Sequence, residues 1–339
     1  MTEPLILSIE SSCDETSAAV LKGKCVLSNI IASQKVHENY GGVVPELASR
    51  AHQSNIVPVA QQALVEAGIT KDQLQAIAFT QGPGLMGSLH VGVSFAKSFA
   101  MGLNIPLIAV NHIQAHILSH FLSNNVRHPV PEFPFLCLTV SGGHTQIALV
   151  KSTLEIEIVG STIDDAAGEA FDKAAKLLGL PYPGGPLVDK KAAEGDDKKF
   201  NFNIPDAGEF NYSFSGLKTA LLYFLQRNVK EDEYFIEKEI ANICASYQRV
   251  LVKYLLDVLF KTAKHFGIQT ICLAGGVSAN SALRRRFNEE CEVRGISAFI
   301  PPLEYCTDNA AMIGIVAYFK FLEKQFASIN AVPMPRMKM

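Results

Sequence analysis

Apolar and polar positions alternate along this chain in short apolar runs, each closed by a polar or glycine-rich turn, with stretches of helical period between them. Leu5-Ile6-Leu7-Ser8-Ile9 is a β-rich run, residues 10–16 a polar turn, and Ser17-Ala18-Ala19-Val20-Leu21 a second run. The chain therefore opens on strand, turn, strand, and a third strand is expected over 25–31. Residues 45–67 carry apolar positions near a 3.6 period through Leu47, Ile56, Val59 and Leu64, which predicts a helix. A short strand over 76–80 runs into Gln81-Gly82-Pro83-Gly84-Leu85-Met86-Gly87 and then a helix through Val91, Phe95 and Phe99. Strand, glycine turn and helix N-terminus can offer backbone N–H groups to an anion, and a tight packing turn fits the same residues equally well.

Residues 107–110 form another short strand leading into a helix over 110–118. A linker is expected over 124–133, where Asn124, Asn125, Pro129 and Pro131 cluster. The opening layout then recurs: strand over 135–140, turn over 141–145, strand over 146–150. Two α/β halves of related architecture are expected, with polar turns facing a shared cleft. Further on, a helix is expected over 163–180, with Asp164 and Asp165 in its first turn, where the helix dipole favours acids. Residues 181–186 break it, 193–211 read as an irregular surface excursion, and Ser215 opens another helix. One long helix or two should fill 237–265. A strand over 269–274 turns through 275–280 into a helix, a last strand covers 297–301, and 306–309 cap a final apolar helix.

Composition narrows the class. The 339 residues are 48% hydrophobic and 19% charged, which suits one large or two ordinary globular domains. A net charge of -3 provides no overall positive field, so any nucleic-acid contact must be a local patch. Arg284-Arg285-Arg286 and the pair Arg336 and Lys338 are the basic clusters, the first reading best as a solvated helix face. The 7 scattered cysteines contain no C-x-x-C and suggest buried thiols in a reducing compartment. Neither a signal peptide nor a membrane span is expected, and the expected location is the cytoplasm.

Candidate chemistry centres on His112 and His116. Four residues apart on a helix, they share one face, and two imidazoles so placed can hold one metal ion. The spacing alone fits an ordinary helix face at least as well. Five polar or glycine-rich turns, at 11–16, 82–87, 141–145, 184–185 and 275–280, together suggest a nucleotide held in an interdomain cleft. None is a P-loop or a dinucleotide fingerprint. Position 113 is Ile, so the H-E-x-x-H pattern of a metalloprotease is absent.

Further stretches complete a set of motifs: Glu10-Ser11-Ser12-Cys13-Asp14-Glu15-Thr16, Gly41-Gly42-Val43-Val44-Pro45-Glu46, Gln81-Gly82-Pro83-Gly84, His112-x-x-x-His116, Ser141-Gly142-Gly143-His144-Thr145, Asp164-Asp165-Ala166-Ala167-Gly168-Glu169-Ala170-Phe171-Asp172, Tyr182-Pro183-Gly184-Gly185-Pro186, Phe214-Ser215-Gly216-Leu217-Lys218-Thr219, Ala274-Gly275-Gly276-Val277-Ser278-Ala279-Asn280 and Cys306-Thr307-Asp308-Asn309. In this order, from about Leu7 to Phe319, the chain resembles the bacterial tRNA threonylcarbamoyladenosine transferases (the TsaD family), once labelled O-sialoglycoprotein endopeptidases. It departs from many members at Gln114 and Asn111, where Glu and His are common.

The resemblance implies an α/β fold of the two-lobed actin-like ATPase (ASKHA) type, two RNase H-like halves around a nucleotide cleft. The lobes would be 1–123, completed by a helix over 308–325, and 124–307. It implies transfer of threonylcarbamoyl from threonylcarbamoyl-AMP to N6 of the adenosine 3′ of the anticodon in tRNAs reading ANN codons, with AMP released. An actin-fold small-molecule kinase or carbamoyltransferase is the alternative. His112, His116 and Asp308 would hold one divalent metal ion, iron or zinc. Thr139, Val140, Ser141, Gly142, Gly143, Asp172, Gly185, Asp189 and Asn280 would contact the adenylate. Asp14 and Glu15, in the opening turn, are candidates for proton or water-mediated metal contacts, and an Asx-type turn explains them equally well. His144 stands as a phosphate-contact or proton-shuttle candidate on the same footing. Implied partners are tRNA, an inactive paralogue of the same fold (TsaB-like) docking on the N-terminal lobe, and a small P-loop ATPase (TsaE-like), with no membrane.

Overall fold

The computed structural model describes residues 3–124, 129–203 and 207–339, so part of the expected linker (125–128) and of the expected surface excursion (204–206) lies outside the described residues. Along the chain the first elements are β1 (Leu5–Glu10), β2 (Thr16–Lys22), β3 (Cys25–Ala32), α1 (Pro45–Glu66), β4 (Ala76–Gly82), α2 (Met86–Leu103), β5 (Leu107–Asn111) and α3 (His112–Leu118). Then come β6 (Phe135–Val140), β7 (Thr145–Val150), β8 (Ile156–Ser161), α4 (Ala167–Leu177), α5 (Gly184–Ala192), α6 (Ser215–Glu231), α7 (Phe235–Phe266), β9 (Thr270–Ala274), α8 (Ser281–Arg294), β10 (Ser297–Phe299) and α9 (Ala310–Leu322).

The chain divides into two compact units. Unit 1 comprises Met1–Pro131, Ser152–Ile156 and Pro301–Met339; unit 2 comprises Glu132–Lys151 and Glu157–Ile300. Each contains one five-stranded sheet, ordered β3-β2-β1-β4-β5 and β8-β7-β6-β9-β10. In unit 1, β1 pairs antiparallel with β2 and parallel with β4, which pairs parallel with β5. In unit 2, β6 pairs antiparallel with β7 and parallel with β9, which pairs parallel with β10. The recurrence of strand and turn in the sequence is thus a recurrence of topology. Every residue of β6 is buried, and so is every residue of β1 after Leu5. Central strands covered on both faces need continuous apolar runs, and the runs at 5–9 and 135–140 supply them.

In unit 1, α9 lies against β1, β2, β5 and α3. Its first turn is tied to the sheet: Ser17 Oγ accepts from the Ala310 N–H at 2.9 Å, and Ser8 Oγ donates to the Ala310 carbonyl at 2.7 Å. Gly314 permits the approach, because a Cβ there would stand 2.4 Å from Leu21 Cδ1 in the core. Asp308 is therefore delivered to the C-terminal end of the sheet by a helix that packs on its centre.

Several boundaries depart from the sequence reading. The helix expected over 163–180 is α4, Ala167–Leu177. Asp164 is not in its first turn: it accepts from Ser213 Oγ, the Phe214 N–H and Ser215 Oγ at 2.5, 2.7 and 2.8 Å, capping α6. Residues 184–186, read as part of a break and a glycine turn, open helix α5. The long helical region is one helix, α7. β8 is a strand the pattern did not disclose. The residues at 284–286 are not simply a solvated face: Arg284 donates to the Ser278 carbonyl, and Arg285 and Arg286 line a cavity in unit 2.

Candidate functional site

The metal-binding candidates sit in unit 1. Asn111 ends β5 and caps α3, its Oδ1 accepting from the Ile113 and Gln114 N–H groups at 2.9 and 3.1 Å. The cap fixes the first turn, so His112 and His116 project from one face of a buried helix; His112 is 6% and His116 0% exposed. Their rings meet edge to face, centroids 4.7 Å apart. Asp308 Oδ1 stands 3.4 Å from His112 Nε2 and 3.1 Å from His116 Nε2. One ligand atom from each of the three residues lies within 4.8 Å of the others.

These separations suit a cation. Donors about 2.0–2.1 Å from zinc at tetrahedral angles stand about 3.4 Å apart, and two imidazoles with one carboxylate leave positions open. His112 Nδ1 lies 3.0 Å from Glu10 Oε2 and 3.2 Å from Ser12 Oγ. Glu10 is itself held by the Ser12 N–H at 2.5 Å and by Thr80 Oγ1 at 2.7 Å. A carboxylate behind a histidine fixes the hydrogen on Nδ1 and leaves the Nε2 lone pair for a ligand. His116 Nδ1 is buried without a hydrogen-bond partner among the described residues.

The electrostatics agree with this charge arrangement. Burial opposes the charge on Glu10, but His112 outweighs it and holds the carboxyl below its usual range. Burial likewise opposes protonated His112, yet the Asp308 and Glu10 carboxylates raise its pKa well above ordinary imidazole. Against its own burial, Asp308 is held well below the carboxylate range by His112 and then His116. The pocket between Glu10 and Asp308 is built for positive charge.

The opening turn beside this cluster is stapled from several sides. His52 bridges Thr16 Oγ1 at 2.8 Å and the Cys13 carbonyl at 2.9 Å, Ser88 Oγ donates to the same carbonyl, and the Leu85 N–H donates to the Ser12 carbonyl. Burial, reinforced by the Asp308 and Asp14 carboxylates, pushes Glu15 up to about 9. Asp14 and Glu15 thus belong to the surroundings of Asp308.

The glycine turn at 81–84 does not have the role of an anion cradle. Its Gly84 N–H donates to the Pro335 carbonyl, and the Gln81 carbonyl accepts from the Met334 N–H at 2.7 Å. The physical reason is close packing: a Cβ on Gly82 would stand 1.9 Å from the Met334 carbonyl oxygen. The turn holds a later stretch of the same chain.

The nucleotide candidates sit in unit 2. After β6 the chain turns tightly, the Ser141 N–H donating to the His144 carbonyl and the His144 N–H to Ser141 Oγ. Gly142 and Gly143 are exposed. The Gly168 N–H donates to the Ser141 carbonyl, tying α4 to this turn. Thr139 Oγ1, and Ser278 Oγ after the neighbouring strand β9, are buried and lack a hydrogen-bond partner among the described residues. Two orphaned hydroxyls beside exposed glycine amides make a polar cradle with unmet hydrogen-bonding capacity.

Asp172 Oδ1 accepts from the Gly184 and Gly185 N–H groups at 2.9 and 3.1 Å, capping α5. Burial raises its pKa despite those two donors. Asp189 Oδ2 accepts from the Ser281 N–H at 2.9 Å, and Asn280 Oδ1 accepts from the Leu283 N–H, so both cap α8. Gln248, which sequence reasoning missed, joins them: its Nε2 donates to Asp189 Oδ1 at 3.0 Å and its Oε1 accepts from Asn280 Nδ2 at 2.7 Å. Beside this bridge lies a cavity of about 500 Å³ lined by Gln248, Ser281, Arg285 and Arg286. Glu10 was missed as well, although a carboxylate closing an apolar strand was a visible signal.

The family model described as tRNA N6-adenosine threonylcarbamoyltransferase matches residues 25–315. A protein of that name from Christiangramia forsetii is 59% identical, covering 98% of this chain and 98% of its own length. One from Phocaeicola vulgatus is 56% identical, with 97% of each covered. Among solved structures, full-length HypF in its phosphate- and nucleotide-bound form matches with a TM-score of 0.61 at 16% identity, over 95% of this chain and 47% of that one. Component A of the Acidaminococcus fermentans (R)-2-hydroxyglutaryl-CoA dehydratase matches with a TM-score of 0.52 at 14% identity, over 94% and 99%. At such identities the two structures speak to the fold alone, and with the paired sheets they establish the actin-like class.

Proposed function

The chain belongs to the tRNA N6-adenosine threonylcarbamoyltransferase family, and from that premise we propose that it takes the threonylcarbamoyl group from threonylcarbamoyl-AMP and releases AMP. The acceptor is N6 of a tRNA adenosine; we assign it to the position 3′ of the anticodon in tRNAs reading ANN codons. The observation that carries the reading is the convergence of His112, His116 and Asp308 on one point in unit 1.

The exocyclic amine of adenosine is a poor nucleophile, because its lone pair is delocalised into the ring. The donor, a mixed anhydride, therefore needs charge stabilisation and positioning more than a strong base. His112 Nε2, His116 Nε2 and a carboxylate oxygen of Asp308 would hold one divalent ion, iron or zinc, which when bound supplies Lewis acidity toward donor oxygens. Glu10 holds His112 in the matching tautomer. In unit 2, the Gly142 and Gly143 amides with the Thr139 and Ser278 hydroxyls are suited to phosphate oxygens. Asp172 and Gly185 suit the ribose, and Asp189 and Asn280 the base, with Val140 and Ser141 completing the turn. Asp14 and Glu15 are proposed to handle the amine proton: alanine at either should slow single-turnover transfer while metal content stays intact, and an unchanged rate removes that role.

The alternative, a small-molecule kinase or carbamoyltransferase on this fold, is not favoured by the family match. Proposed partners are tRNA, a non-catalytic paralogue of the same fold and a small P-loop ATPase, acting in the cytoplasm. Among the described residues, no helix is long and apolar enough to cross a membrane. The test is reconstitution with threonine, bicarbonate, ATP, an adenylate-forming enzyme, the partners and unmodified tRNA. Threonylcarbamoyladenosine should appear in the nucleoside digest only when this chain is present, and its absence rejects the reading.

A further inference from the structure

Residues 331–338 cross the end of the unit 1 sheet without regular structure, turn once at Pro335-Arg336, where the Met337 N–H donates to the Met334 carbonyl, and are held by groups from three different elements. Gln81, at the end of β4, takes the Met334 N–H on its carbonyl and gives its Nε2 to the Val332 carbonyl at 3.0 Å. Lys97 of α2 donates to the Ala331 carbonyl at 3.1 Å. Asn111, the cap of the histidine helix, donates its Nδ2 to the Lys338 carbonyl at 3.4 Å. Pro333 and Pro335 fix their own φ, Pro335 at the first central position of the turn, and both remove donors that would otherwise need partners. Ala331, Pro333, Pro335 and Met337 are half-buried, whereas Val332, Met334, Arg336 and Lys338 are exposed. Exposure alternates along the segment and leaves both cations on the outer face. Neither is paired with a carboxylate among the described residues.

The arrangement is unusual for a stretch without regular structure. One asparagine side chain caps the helix that carries His112 and, with its other atom, grips the segment bearing Arg336 and Lys338. The glycine turn has given up its amide to the same segment. We propose that residues 331–338 are a fixed strap that presents Arg336 and Lys338 to the phosphate backbone of the tRNA next to the metal triad. This rests on the family's tRNA substrate and adds where on the chain the polyanion is met. A chain of net charge -3 must bind RNA through local cations, and cations on a pre-ordered backbone lose less conformational entropy on binding.

The test is kcat/KM for tRNA in the reconstituted reaction at several salt concentrations. For Arg336→Ala with Lys338→Ala, it should fall about tenfold near 0.15 M salt. The slope of log kcat/KM against log salt should become shallower by about 1.4–1.8, the loss of two phosphate contacts. KM for the donor and bound metal should not change. Gly82→Ala, which pushes the strap off without removing a charge, should lower kcat/KM for tRNA in the same direction. Lys71→Ala, an exposed charge at the other end of β4, should match wild type. An active wild type with the double variant within twofold of it at every salt concentration overturns the strap proposal alone. A wild type that modifies no tRNA overturns the family reading and the strap with it.

Discussion

Glu10 Oε2 lies 3.0 Å from His112 Nδ1, on the side of the imidazole away from Asp308. The ring is thus suspended between the buried Glu10 carboxylate and the partly exposed Asp308 carboxylate, and the carboxylate behind it determines which nitrogen is free to bind. Replacing Glu10 by Gln keeps the volume and removes the charge. Metal affinity should fall by about 10–100-fold, the usual loss when such a backing carboxylate is removed. Competition with a chelator of known affinity measures this, and an unchanged affinity would make Glu10 a structural residue only.

Gln248 bridges Asp189 and Asn280, two caps of α8 that the reading also places at the base of the adenylate. Gln248→Ala leaves a buried Asn280 amide and an Asp189 carboxylate each short of a partner, a cost of about 1–3 kcal/mol. Denaturant unfolding should register that loss, and KM for the donor should rise more than kcat falls. Gln248→Glu should restore volume without restoring the donor to Asp189. If alanine leaves both stability and KM untouched, the bridge has no role.

Asp164 gives a pH signature. Burial opposes its charge, but hydrogen bonds from Ser213, the Phe214 N–H and Ser215 outweigh this and hold its carboxyl below the usual range. A depressed folded-state pKa means stability that is present above the unfolded value of about 3.9 and lost as pH falls through the folded value. Asp164→Ala should cost about 1 kcal/mol at pH 7, as for loss of a helix cap. The gap between variant and wild type should close as the pH is lowered below about 3.9. A gap independent of pH would show that the carboxylate's charge is not what caps α6.

How much of this was legible beforehand differs by residue. The two strand-turn-strand openings are readable because central buried strands demand continuous apolar runs, and the structure turns that repeat into one sheet order used twice. His112 and His116 are readable as a pair from helical spacing. Asp308 is not readable from spacing: it arrives from 192 residues away because α9 packs on the centre of the sheet. Asp164 misled because an acid three residues before a helix looks like its N-terminal charge, and only the tertiary fold brings the start of α6 to it. The glycine turn was open between an anion cradle and a packing turn, and local geometry could not decide, since it cannot show that a segment some 250 residues later occupies it. Gln248 gave no sign at all, being one polar residue on the buried side of a long helix.

The central claim is that His112, His116 and Asp308 form a metal site that the transfer requires. The direct measurement is metal content of purified, metal-reconstituted His116→Ala beside wild type, with circular dichroism and tRNA transfer on the same samples. The account predicts near one iron or zinc ion per wild-type chain and near none in the variant, with the fold retained and transfer reduced by about a thousandfold or more. A variant that keeps its full metal content and its transfer rate would contradict it and leave α3 an ordinary buried helix.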